Sequence, residues 1–351
     1  MVIQEDLLSR EVREVAIDLV LDSKFEREAL TAADEQSLRL NLNQKLTGLG
    51  FLQRYLDDES IEEVWVNQPG EVWFAKAGLH FSEQIVFGAD ELMTLVERMI
   101  RSSGRRLDRS TPFIDAQLEN GFRLHAVIPD VTRKYLSLNI RKFSNKVMTL
   151  DELANRGVLS LTQAEFLVAE LKAGANLIIS GATQAGKTTL LTALLSSLEP
   201  HERVVSVEDT FELRCLLPDW VAMQTRPESL EGKHGIDMRR LVRESLRMRP
   251  TRLVVGEVRG AEALDMLIAM NSGIPSMCTV HANSSDEALN KLRTLPLLAG
   301  GNISNEFISE LVGSSLRLFV HCSRDIAGHR QISSIKRMSD GKSSQLESVA
   351  L

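Results

Sequence analysis

The chain has 351 residues, with 41 Lys+Arg against 48 Asp+Glu for a net charge of -7, and 43% of its residues are hydrophobic. This is enough chain for two ordinary domains with a core each, which excludes a single small module and long disorder. The acidic balance and the scarcity of aromatics, twelve Phe, three Trp and two Tyr, disfavour a dedicated nucleic-acid binder, which needs basic surface and stacking rings.

Residues 1–50 read as a helical segment: Val12, Val15, Ile17, Leu19 and Val20 recur near helical spacing, and a second stretch runs from Thr31 to about Leu46. From Ile61 the period shortens to two. Ile61–Val66 and Glu71–Phe74 bracket the turn Asn67-Gln68-Pro69-Gly70, a strand, turn and strand. A helix follows from about Asp90 to Ser102, with Leu92, Val96 and Met99 on one face. Phe113–Leu118 and Phe122–Ile128 flank the dipeptide Asn120-Gly121, a hairpin signal, and Tyr135–Arg141 alternates again. Residues 51–143 therefore read as an α+β domain with an antiparallel sheet, and 144–150 as a linker.

Beyond the linker, short apolar runs with little alternation are separated by helical segments: Asn176–Ser180, Arg203–Val207, Arg252–Val255, Ser276–Val280 and Leu316–Val320. Such runs suit strands buried on both faces, so residues 151–337 read as an α/β domain with a largely parallel sheet. The tail 338–351 reads as frayed. Cys215, Cys278 and Cys322 are far apart and lack metal-ligand spacing, which predicts buried free thiols. No apolar run approaches the roughly 18 residues of a membrane span, and residues 1–30 lack a signal pattern, so a cytoplasmic protein is expected.

Chemistry concentrates after the first strand of the second domain. Gly181-Ala182-Thr183-Gln184-Ala185-Gly186-Lys187-Thr188 matches GxxxxGK[ST] between an apolar strand and the helical run Leu190 to Leu198, with Thr189 counted among the nucleotide-binding residues. In that context backbone N–H groups cradle phosphates, Lys187 adds a cation at the β/γ oxygens and the Thr188 hydroxyl can ligate Mg²⁺, so ATP with Mg²⁺ is the expected ligand. Gln184 stands where related loops often carry Gly. In Leu253-Val254-Val255-Gly256-Glu257, the strand ends on one carboxylate instead of an acidic pair. Glu257 is the candidate to orient and deprotonate the attacking water. Glu208, ending the neighbouring strand with Asp209, is the candidate second carboxylate. His281 ends a further strand at the same edge, and the helix Asp237 to Met248 carries Arg239, Arg240, Arg243 and Arg247 with Arg249 just after it, Arg247 and Arg249 being candidate phosphate-sensing cations within or across subunits.

The phosphate loop, the acidic box Arg203–Asp209, the run Leu246-Arg247-Met248-Arg249-Pro250 leading to Gly256-Glu257-Val258-Arg259-Gly260, and Val280-His281-Ala282-Asn283-Ser284 together resemble the type II/IV secretion ATPase superfamily. Within it, Gly104-Arg105-Arg106-Leu107-Asp108, Asn120–Pro129 and Ile140-Arg141-Lys142-Phe143 look most like the tight-adherence (Tad) pilus ATPases of the CpaF type. The resemblance implies a RecA-like P-loop domain and a homohexamer at the inner face of the plasma membrane, docked on an inner-membrane platform protein to drive pilus assembly or secretion. It also implies that Arg123 and Arg141 reach the bound phosphates. Alternation places both on the side opposite Leu124, Ala126, Leu138 and Ile140. Two other readings stand beside it: a conjugative type IV secretion ATPase of the same superfamily, and a nucleic-acid translocase or small-molecule kinase built on the same loop.

Overall fold

The computed structural model describes residues 49–101, 106–118, 120–142, 147–226, 235–339 and 345–351, in two compact units, Met1–Phe143 and Ser144–Leu351. The expected N-terminal helices, up to residue 48, lie outside the described residues.

In the first unit β1 (Ile61–Gln68), β2 (Glu71–Lys76), β3 (Leu79–Gln84), β4 (Phe113–Gln117), β5 (Arg123–Val127) and β6 (Ser137–Arg141) form an antiparallel sheet in the order β3-β2-β1-β6-β5-β4. Period-two alternation gives the sheet one apolar face. Val64, Leu124, Ala126, Leu138 and Ile140 are buried together with Leu92, Leu95, Val96 and Met99 of the helix Ala89–Ile100. The other face carries Trp65, His125 and Asn139, and there Arg123 and Arg141 are direct register partners.

In the second unit β7 (Leu177–Gly181), β8 (Val204–Glu208), β9 (Trp220–Gln224), β10 (Arg252–Val258), β11 (Ser276–His281), β12 (Leu318–Arg324), β13 (Arg330–Met338) and β14 (Leu346–Ser348) form one sheet, ordered β14-β13-β12-β7-β11-β10-β8-β9. The six strands from β12 to β9 run parallel, and β13 and β14 are antiparallel additions at one edge. Every residue of β7 and β8 is buried, because apolar clusters cover both faces. The parallel strands end together, placing Gly181, Glu208, Glu257 and His281 along one edge, where the crevice of such sheets binds ligands.

One expectation for the C-terminal part is corrected. The segment read as a frayed tail contains β14, and its Leu346, Glu347 and Ser348 pair with Met338, Arg337 and Lys336. The strand before it, β13, was not anticipated either. All three cysteines are buried and free, and among the described residues no helix is long and apolar enough to cross a membrane.

Candidate active site

The loop after β7 owes its path to three residues with positive φ. Gly181 pairs across the sheet with Cys322, so close that a Cβ would stand 2.4 Å from the Cys322 carbonyl oxygen. Gly186, at φ +91°, is the N-cap of the helix Lys187–Leu195 and turns the chain into it. Gln184 adopts φ +62°, a left-handed conformation that costs a residue with a side chain about 1–2 kcal/mol. Lys187 opens the helix and is 7% exposed; its Nζ donates to the carbonyls of Gly181 at 3.0 Å and Ala182 at 2.8 Å. These neutral acceptors can be exchanged for phosphate oxygens, which bind an ammonium more strongly.

Lys187 leads into a line of charges. His281 pairs with Gly181 across β11 and β7, which places its Nδ1 3.4 Å from Lys187 Nζ and its Nε2 2.7 Å from Glu257 Oε1. Burial and then the Lys187 cation hold the imidazole below its ordinary pKa. A neutral ring fits this geometry: Nδ1 accepts from the ammonium, and Nε2 faces the Glu257 carboxylate. Glu257 Oε2 in turn accepts from Arg259 Nη2 at 2.5 Å, and Arg259 Nη1 lies 3.5 Å from Asp209 Oδ2. Glu257 is thus held by Arg259 and faced by His281, with its carboxyl group at the edge where the loop lies.

The sequence profile of the type II/IV secretion system proteins matches residues 45–343. The chain belongs to this family. It is an ATPase, a motor of the secretion and pilus class. Its relatives include a putative conjugal transfer protein of Mycobacterium tuberculosis, 36% identical over 312 residues covering 86% of this chain and 88% of the relative. Another is a probable conjugal transfer protein TrbB of Sinorhizobium fredii, 31% identical over 82% of this chain and 87% of its own. The ATPase DotB of Yersinia pseudotuberculosis shares the fold, with TM-score 0.61 at 16% identity over 84% of this chain and 78% of its own.

For a secretion ATPase the second carboxylate is the instructive departure. Glu208 is 3% exposed, and its Oε1 accepts from the backbone N–H groups of Glu212 and Leu213, both at 2.8 Å. It serves its own following loop, and the carboxylate joined to Glu257 through Arg259 is Asp209. The packing also explains the missing acid at position 256, where a Cβ on Gly256 would stand 2.8 Å from Glu208 Cγ. Glu208 fills the space that a side chain there would need.

Burial raises the Glu208 pKa from 4.5 to about 7, against the lowering effect of the two N–H donors. The folded state then binds this proton more tightly than the unfolded chain. Stability from this group is therefore full below about pH 4.5, is lost as pH rises toward 7, and is level above. The loss amounts to about 3 kcal/mol. Glu208→Gln keeps the acceptor oxygen and puts an amide where Oε2 has no partner. Urea unfolding at pH 5 and pH 8 should show the parent losing stability across this interval and the variant losing less.

Arg247 and Arg249, expected as phosphate-sensing cations within or across subunits, lie away from the loop of their own chain. Arg249, at φ +53°, leads into the start of β10, and Met248 O accepts from Arg203 Nε at 2.7 Å ahead of β8. This is the opposite edge of the sheet, about 20 Å of strand away from Glu257. Neither arginine faces the phosphate loop of its own chain. Arg239 and Arg243 of the preceding helix are engaged by the buried Asp265, at 2.7 and 3.3 Å. Arg123 and Arg141 stand side by side in the other unit, Arg123 also 3.7 Å from Asp115.

Sequence reasoning overlooked Arg259 and His321. The first was legible, because it follows Glu257 by two positions, just past the end of β10. His321 lies 2.9 Å from Ser180 Oγ, and burial and the Lys187 cation hold it below its usual pKa. No motif in the sequence marks it.

Proposed function

We propose that the protein is the ATP-hydrolysing motor of a Tad-type pilus assembly system, working as a homohexameric ring at the cytoplasmic face of an inner-membrane platform protein. The observation that carries the ATPase chemistry is the line Lys187–His281–Glu257–Arg259 at the end of the parallel sheet, beside a loop preset for phosphate. In this reading the second unit is a RecA-like domain. The backbone N–H groups of the segment Gly181 to Thr189 cradle the phosphates, including those of Ala182, Thr183, Gln184 and Ala185. Lys187 moves from its carbonyl acceptors to the β/γ oxygens, and Glu257 takes the proton of the water that attacks the γ-phosphorus as ADP departs.

The oxygen donors suit Mg²⁺ carried by the nucleotide, because this ion is usually held by substrate phosphates and one or two protein oxygens. Thr188, half-buried in the first turn after Lys187, would supply one, and the ion would neutralise charge on the transferring phosphoryl group. Arg123 and Arg141 are proposed to reach the bound phosphates. Arg247 and Arg249 would reach nucleotide only in a neighbouring subunit.

Conjugative type IV secretion is the second reading, favoured by the conjugal transfer names of the two relatives above. A chromosomal Lys187→Ala allele separates the two. The pilus reading expects loss of surface pili with DNA transfer unaffected. Loss of conjugation with normal piliation would replace it with the second reading.

A further inference from the structure

The phosphate loop rests on the hairpin formed by β12 and β13. Gly181 packs against Cys322 as described, and two further contacts come from arginines. Arg330 Nε donates to the Gln184 carbonyl at 3.0 Å, and its methylene stem passes Gly186, where a Cβ would stand 3.5 Å from Arg330 Cδ. Arg324 Nη1 donates to the Gln184 side-chain oxygen at 3.1 Å.

Arg324 and Arg330 are direct register partners where the hairpin closes, beside a turn in which Asp325 accepts the backbone N–H of His329 at 2.8 Å. Like charges directly opposite one another on paired strands are unfavourable, so this pairing is kept at a cost. Both guanidiniums converge on Gln184, the residue that holds a left-handed φ in the loop without being glycine. An anion cradle turns its N–H groups toward the ligand and its carbonyls away. A donor on the Gln184 carbonyl therefore stands behind the cradle and not inside it.

We infer that Arg324 and Arg330 are positioning residues, carried by the C-terminal hairpin, that hold Gln184 and Gly186 in the phosphate-ready conformation before nucleotide binds. The two hydrogen bonds and the stem over Gly186 fix a turn that a glycine at 184 would leave loose, so less ordering remains to oppose binding. The inference rests on the loop being the ATP site. It makes the hairpin part of that site although it touches the nucleotide only through the loop.

The test is ADP–Mg²⁺ binding by calorimetry and steady-state ATP hydrolysis, on the full chain and on Arg324→Ala, Arg330→Ala, Gln184→Gly and the Arg324→Ala, Gln184→Gly pair. Arg330→Ala is expected to weaken ADP about tenfold and Arg324→Ala about threefold, with KM for ATP rising and kcat nearly unchanged. Melting temperatures without nucleotide should stay at the parental value. In the Gln184→Gly background the Arg324→Ala change should have no further effect, because its acceptor is gone. Parental ADP affinity in both single arginine variants would overturn the inference, as would an undiminished Arg324→Ala effect in the Gln184→Gly background. A parent chain that does not bind ADP would overturn the ATP reading of the loop itself, and this inference with it.

Discussion

Glu257→Gln should bind ATP with near-parental affinity and turn it over about a hundredfold more slowly or worse, the usual range for losing a general base. The substitution preserves what holds the side chain. An amide oxygen can still accept from Arg259 Nη2 and lie beside His281 Nε2, and no volume changes in a residue that is only partly buried. What it removes is the capacity to take a proton from water. His281 cannot substitute, because burial and Lys187 lower its pKa and its Nδ1 already faces the ammonium. Single-turnover hydrolysis with prebound ATP isolates this step from binding. Normal chemistry in the variant would remove Glu257 from the mechanism.

Gly181→Ala should be among the most destabilising single changes in the chain, by about 3 kcal/mol or more. The new methyl would meet the Cys322 carbonyl oxygen at 2.4 Å, and that oxygen belongs to the backbone of β12, packed between β7 and β13. Relief requires moving a strand. Gly256→Ala is the control: its Cβ would meet Glu208 Cγ at 2.8 Å, the middle of a side chain that can swing aside. It should cost much less stability while disturbing the backbone cap at Glu212 and Leu213. Equal melting temperatures for Gly181→Ala and the parent would refute the close-approach account.

The elements legible in the sequence were those whose burial leaves a one-dimensional trace. β7, β8, β10 and β11 are buried on both faces and show as unbroken apolar runs, and the GxxxxGK[ST] spacing located the loop. β9 and β13 are half-covered strands toward the sheet edges, with mixed patterns that resemble loop. β3 is exposed along its whole length, so no apolar face announces it. Position also misled: Glu208 ends the expected strand beside the site, yet its side chain turns to the N–H groups of its own loop, which alternation cannot foresee. Arg247 and Arg249 lie close to Glu257 in sequence, but a full strand intervenes. Conversely, Arg324 and Arg330 contact Gln184 from about 140 residues further along the chain, through a hairpin that reaches the loop only because β12 pairs with β7.

In the proposed reading Lys187 organises the ATPase centre, and the most direct test is Mg²⁺-dependent ATP hydrolysis by the purified full chain and by Lys187→Ala. The side chain removed is the cation that passes from the loop carbonyls to the phosphates, so the variant should keep its fold and lose about 99% of turnover or more. A Lys187→Ala protein that hydrolyses ATP at the parental rate would contradict the assignment of the loop, and with it the account of this edge of the sheet as the active site.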